Sequence, residues 1–248
     1  MATLFTGQDP AQPAAVPSAG SVWRLEADLN GYARSSGTGL ATQLAAGRCL
    51  RVIDDSTGTR LRVRLLEDGY PCWLDAAELL RHGQPATRPV LPSLDQGAVA
   101  ERLGQVLAFA LEAMARPNAY LWGGTLGPDY DCSGLVQSAF AAAGIWVPRD
   151  AYLQERFCRP VAVRAGEYSL LRPADLIFFG SQRRCTHVGI HLGSGRYLHS
   201  SGREHGRNGI GIDDLHPGND DPVACHYRGE LRGAGRVMHS HDGSPLPP

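Results

Sequence analysis

Asp131-Cys132-Ser133-Gly134-Leu135-Val136-Gln137-Ser138-Ala139-Phe140 and Thr186-His187-Val188-Gly189-Ile190-His191-Leu192 carry two different hydrophobic periods. In the first, Leu135, Val136, Ala139, Phe140 and Ala143 fall on one face of a helix that begins at Asp131, with Gly144 placed as its C-cap. In the second, strict alternation puts Val188, Ile190 and Leu192 on the core side of a strand and His187, Gly189 and His191 on the other. Further strands read at Leu176–Phe179 and Arg196–Ser200. A helix upstream repeats Val99, Leu103, Val106, Leu107, Ala110 and Met114 and stops at Pro117. Helices first and strands after predict an α+β domain.

The front of the chain reads differently. Between Val22 and His82 the runs are short and β-like. Leu61-Arg62-Val63-Arg64-Leu65 alternates, Asp68-Gly69 turns, and Tyr70-Pro71-Cys72-Trp73-Leu74 resumes. This organisation predicts a tail over 1–20, a small β-barrel over 21–83, a Pro-rich linker over 84–96, the α+β domain over 97–240 and a loose tail over 241–248. The chain has 248 residues, 43% hydrophobic, with 24 basic and 25 acidic side chains. Such a balance argues against a nucleic-acid surface. The longest apolar run, Ala139–Val147, is nine residues, where a membrane helix needs about 20. Six cysteines without a Cys-x-x-Cys pair exclude a disulfide scaffold or a zinc ribbon. The opening residues lack a basic stretch and an apolar core, so a cytoplasmic protein with reduced thiols is expected.

Cys132 stands where the helical pattern begins. The positive end of the helix dipole favours its thiolate, and the unpaired N–H groups of the first turn can hold an oxyanion. A small buried apolar residue at a helix start is an equal reading of the position alone. A nucleophilic thiol needs a base. His187 and His191 lie roughly 13 Å apart along a strand, so only one can serve; His191 reads as an exposed strand residue. If Gly193-Ser194-Gly195 is a three-residue loop, 192 pairs with 196 and 189 with 199. His199 then shares the face of His187, within roughly 5–8 Å. A two-residue loop would shift the register by one and throw it to the opposite face. A zinc site on Cys132, Cys185, His187 and His199 is disfavoured by the Cys-x-His spacing.

Tyr120-Leu121-Trp122-Gly123-Gly124, Asp131-Cys132-Ser133-Gly134, Pro148-Arg149-Asp150, Pro173-Ala174-Asp175-Leu176, Thr186-His187-Val188-Gly189 and His199-Ser200-Ser201 together resemble the NlpC-type papain-like cysteine peptidases, over about Gly97–Val237. The front part resembles the bacterial SH3-like domain fused to this peptidase in two-domain cyanobacterial enzymes. The resemblance implies a small SH3-like barrel followed by a papain-like core of helix and antiparallel sheet. It implies Cys132 as nucleophile, His187 as base and His199 as the orienting third member. Tyr120 would border the cleft, and Tyr70 would close its far end. Asp131, Ser133 and Asp150 match positions that hold the substrate's ammonium and D-Glu groups. The implied reaction is hydrolysis of the γ-D-glutamyl–diamino acid bond in cell-wall (murein) peptides with a free N-terminal L-Ala, in murein recycling. No cofactor, metal, nucleic acid or membrane is implied, and a monomer is expected. Different amide hydrolysis or acyl transfer on the same fold, and a non-catalytic wall-peptide adaptor, are the rival readings. The ammonium would be read by a desolvated carboxylate, with Asp131 as the first choice. Whether the leaving residue is diaminopimelate or lysine stays open.

Overall fold

A computed structural model describes residues 16–56 and 58–246. The expected N-terminal tail lies outside the described residues up to residue 15. The chain runs β1 (Val22–Leu25), β2 (Leu29–Tyr32), β3 (Leu40–Leu44), β4 (Cys49–Asp54), β5 (Arg60–Leu65), β6 (Pro71–Asp75), α1 (Ala76–His82) and β7 (Gly83–Pro85). These seven strands form one antiparallel sheet in the order β3-β2-β6-β5-β4-β1-β7. The alternation in β5 works as it reads: Leu61, Val63 and Leu65 are buried while Arg62 and Arg64 face out. They join Trp23, Leu25, Leu44, Leu50, Val52 and Leu74 in the first core. Removing one such leucine side chain would cost roughly 2–5 kcal/mol. Gln84 and Pro85, expected in the linker, instead pair with Arg24 and Trp23 and extend the sheet.

The second half holds α2 (Gln96–Ala100), α3 (Leu103–Ala115), α4 (Cys132–Ala142), α5 (Ala151–Phe157), β8 (Arg159–Val161), β9 (Leu176–Ser181), β10 (Arg184–Gly193), β11 (Arg196–Ser201), β12 (Gly209–Asp214), α6 (Pro222–Gly229) and β13 (Leu231–Arg236). Its sheet order is β12-β11-β10-β9-β13-β8, again antiparallel, which gives the expected α+β class. The single helix expected from Val99 to Met114 is two, interrupted at Glu101–Arg102. One face of the sheet packs α3 and α4 through Val106, Ala110, Leu135, Ala139, Phe140, Val188 and Ile190. The other face carries Ile177, Phe179, Tyr197 and Tyr227. With both faces covered, His191 cannot be the exposed strand residue of the sequence reading. It is 1% exposed.

The two sheets are joined by polar contacts around one seam. Gln137 at the middle of α4 donates to Asp68 at 2.8 Å, and Asp68 also pairs with Arg48 at 2.9 Å. Thr125 and Gln43 exchange three bonds of 2.8–3.2 Å. The C-terminal residues are not loose up to the last described residue. Ser240 and His241 are buried. The His241 N–H donates to the Trp146 carbonyl at 2.8 Å, and the Trp146 N–H donates to Ser240 Oγ at 2.9 Å. Gly243 lies so close to the Leu66 carbonyl that a Cβ there would meet its oxygen at 1.9 Å. Residues 240–246 thus strap the second domain to the β5–β6 turn. Polar composition suggested a free tail, but buried backbone groups with partners hold it. Among the described residues, no helix is long and apolar enough to cross a membrane.

Candidate active site

Asp131 caps α4. Its Oδ1 accepts from the Gly134 N–H at 2.7 Å, satisfying one of the orphan donors at the helix start. Gly134 is needed at that place because a Cβ would sit 1.9 Å from the Gly124 carbonyl oxygen. The helix start is thereby pressed onto the Trp122–Gly124 loop, and Cys132 opens its first turn. Cys132 Sγ lies 4.0 Å from the carbonyl oxygen of Thr186, the residue before His187. Both Cys132 and His187 line a cavity of about 670 Å³, together with Tyr70, Tyr120, Ser133 and Asp150.

The hairpin after His187 resolves the register question. Ile190 pairs with Leu198 and His191 with Tyr197, the register expected. The turn itself is the two-residue Ser194-Gly195, both in left-handed conformations at φ 53° and 74°. A bulge between His191 and Gly193 restores the register that this shorter turn would have shifted. His191 holds the turn from inside: its Nδ1 bonds the Arg172 carbonyl at 2.9 Å and its Nε2 accepts from the Gly195 N–H at 3.2 Å. His199 consequently meets His187, Nδ1 to Nε2, at 2.7 Å. That bond occupies Nε2 of His187 and leaves Nδ1 as its other ring nitrogen. Tyr227 of α6 stacks on the His187 ring at 4.2 Å between centroids and bonds Ser201 Oγ at 2.6 Å.

Burial works against the thiolate that the helix dipole favours. Burial and the adjacent Asp131 carboxylate push the Cys132 thiol up to about 12. Burial, with His199, His205 and His226 nearby, holds His187 well below the ordinary histidine value. Both shifts favour the uncharged forms of the two side chains.

Asp131 is not a free carboxylate. Arg149 donates to its Oδ1 at 3.0 Å and to its Oδ2 at 2.6 Å, and the Gly123 N–H donates to Oδ2 at 2.8 Å. With Gly134 added, its lone pairs are filled, so the first choice for an ammonium receptor is corrected. Ser133 is engaged too, its Oγ accepting from Arg149 at 2.9 Å. Arg149 is 2% exposed and reaches Thr42 of β3 at 3.1 Å. Asp150 is different: among the described residues only the Tyr70 hydroxyl bonds its side chain, at 3.2 Å. Burial raises Asp150 above the ordinary carboxylate value, and Arg149 pulls it back. Tyr70 closes the seam between the domains at this end of the cavity, while Glu204 and His205 stand among its other lining residues.

Sequence reasoning missed Arg149 as the partner of Asp131, Tyr227 beneath His187, and Asp213 with Arg207 behind His199. His199 Nε2 lies 2.6 Å from Asp213 Oδ2, and Arg207 Nη2 lies 2.9 Å from each Asp213 oxygen. The available signal was alternation: Gly209, Gly211 and Asp213 fall on one face, beside His199. Among the described residues, no three of His, Cys, Asp or Glu are arranged to hold a metal ion.

Residues 117–219 match the NlpC/P60 family, and residues 31–79 match the bacterial dipeptidyl-peptidase Sh3 domain. The bifunctional muramidase/DL-endopeptidase CwlT of Bacillus subtilis is 35% identical over 137 residues, 53% of this chain and 36% of its own length. The γ-D-glutamyl-L-lysine dipeptidyl-peptidase of Bacillus subtilis is 35% identical over 113 residues, 44% of this chain and 35% of its own. The chain spans about a third of the length of these curated relatives. A solved NlpC/P60 family protein from Bacillus cereus aligns over 90% of this chain and 65% of its own at 23% identity, with a TM-score of 0.44.

Proposed function

Because the chain joins an NlpC/P60 domain to a bacterial SH3 domain, we propose that it is a cysteine endopeptidase of cell-wall peptides. Its bond is γ-D-glutamyl–diamino acid, in fragments with a free N-terminal L-Ala, consumed in the cytoplasm during murein recycling. The observation that carries this reading is one cavity that holds a thiol at a helix N-terminus, His187 backed by the buried His199, and an incompletely paired carboxylate capped by Tyr70 of the first domain.

The chemistry follows in order. His187 Nδ1 takes the Cys132 proton while sulfur bonds the γ-carbonyl carbon. The N–H groups of the first turn of α4 face the charge that develops on the carbonyl oxygen. His187 then returns the proton to the leaving amine, and water hydrolyses the thioester by the same base. Asp150 would receive the L-Ala ammonium, and Tyr70 would stand where a longer, wall-linked chain must continue. A wall-linked chain has an amide in place of the ammonium and loses the charge-assisted bond.

Mass spectrometry of a digest of L-Ala-γ-D-Glu-diaminopimelate tests this directly. The expected products are the L-Ala-D-Glu dipeptide and free diamino acid. Cys132→Ala is expected to abolish turnover while peptide binding persists, and His187→Ala to be nearly as damaging. An intact tripeptide, or cleavage that survives Cys132→Ala, would refute the reading.

A further inference from the structure

The polar chain behind the reacting pair does not stop at His199. It continues to Asp213 of β12 at 2.6 Å, and Arg207 grips both oxygens of that carboxylate at 2.9 Å. Both His199 and Asp213 are buried, at 0% and 6% exposure. Room for Arg207 is provided by the absence of a side chain at Gly211, the cross-strand partner of His199; a Cβ there would lie 1.5 Å from Arg207 Nη1. The site is therefore built on three residues of one strand and turn, none of which touches the thiol.

We propose that Asp213, ion-paired with Arg207, is the positioning residue that fixes which nitrogen of His187 carries the proton. The argument is one of donors and acceptors. An ionised carboxylate can only accept, so His199 must hold its proton on Nε2. A neutral His199 then presents a bare Nδ1. In the 2.7 Å contact His187 must donate from Nε2. The Nδ1 of His187 is left bare and able to take the Cys132 proton. Turn the order round and His187 would point an N–H at the thiol, and the base would be lost.

Arg207 has a separate part in this. A lone buried carboxylate beside His199 would draw a second proton onto that ring. The imidazolium would then donate to His187 from Nδ1 and reverse the chain. The Arg207 charge opposes that protonation, as burial does, and His199 stays below the ordinary histidine value. The groups around His199 are His187 from β10, Tyr197 on its own strand, Asp213 from β12, Arg207 from the turn before it, His205 from the turn after β11, and Tyr227 from α6.

The inference rests on Cys132 and His187 being a reacting pair, and its test is independent of the substrate. Ring-nitrogen NMR of the full chain labelled with ¹⁵N-histidine reads the tautomers directly. In the native protein at neutral pH, His187 and His199 are expected to carry their protons on Nε2. In Asp213→Asn, the amide donates to His199, and the His187 proton is expected on Nδ1. Alkylation of Cys132 by iodoacetamide and kcat are both expected to fall roughly 10²–10⁴-fold, with KM within about threefold, the pattern of a wrong-tautomer base. Arg207→Gln is expected to move the acid limb of the alkylation profile to higher pH. A native His187 protonated on Nδ1 would overturn the proposal even if no variant folds. So would an Asp213→Asn protein with native tautomers and alkylation, or an unmoved acid limb in Arg207→Gln. Failure to cleave any γ-D-glutamyl peptide would refute the peptidase reading alone, because the tautomers are read without substrate.

Discussion

Asp150 and Asp131 are nineteen positions apart and both stand near Arg149, yet their carboxylates are paired very differently. Asp131 spends its lone pairs on Arg149 and two backbone N–H groups. Asp150 has the Tyr70 hydroxyl and an open side toward the cavity. On this ground, Asp150→Asn is expected to lower kcat/KM for a free-amine tripeptide about 10–100-fold, the size of a charge-assisted bond of roughly 1.5–3 kcal/mol. N-acetylated substrate should start slow and be insensitive to the same substitution. Equal losses on both substrates, measured side by side, would remove Asp150 from ammonium recognition. The motif residues Cys132, His187 and His199 were legible because each type has a chemical role at its place in a pattern. The arginine between them was not, since a buried Arg reads like any surface Arg until its partner is in view.

At the scale of elements, α4 and the β10–β11 hairpin carry the site. The start of α4 depends on Asp131 both as cap and as the counter-charge of a buried Arg149. Asp131→Ala is therefore expected to act on folding. It strands the guanidinium without its partner, a loss of about 3–5 kcal/mol, readable as a lower urea midpoint. An unchanged midpoint with a selective loss of substrate affinity would return Asp131 to a binding role. The hairpin shows how far pattern reaches. Alternation identified the strands and the facing histidines, but the loop length was set by Ser194 and Gly195 in left-handed conformations, with a compensating bulge. β12 and β13 were illegible for a plain reason: Gly209-Ile210-Gly211 and Gly233-Ala234-Gly235 lack the β-branched runs that mark strands. Tertiary packing overrides that weak propensity.

Across the whole molecule, three buried histidines link folding to pH. His187, His199 and His241 all titrate below the ordinary value of 6.5, each chiefly because burial disfavours the charged ring. The unfolded chain takes up protons as pH falls through about 6.5, and the folded chain resists. Stability from these groups is full above that value and is lost on acidification, by up to about 1.4 kcal/mol per pH unit for each ring. The melting temperature should fall between about pH 7.5 and about pH 5.5. A flat profile would show that the three rings titrate alike in the folded and unfolded chains. His241 belongs to the C-terminal strap, so the same acidification works on the seam between the domains.

The sequence by itself determined the two-part architecture, the α+β class, the helix that presents Cys132, and the strand pair that presents His187 and His199. Those features rest on periodicity and local chemistry, which neighbouring residues specify. Tertiary structure alone decided that Arg149 pairs with Asp131 while Tyr70 meets Asp150, that Cys132 is buried beside Asp131, that Asp213 and Arg207 stand behind His199, and that residues 240–246 bind the domains together. Each of these depends on burial and on partners far along the chain, because the energy of a charge is set by what surrounds it in space.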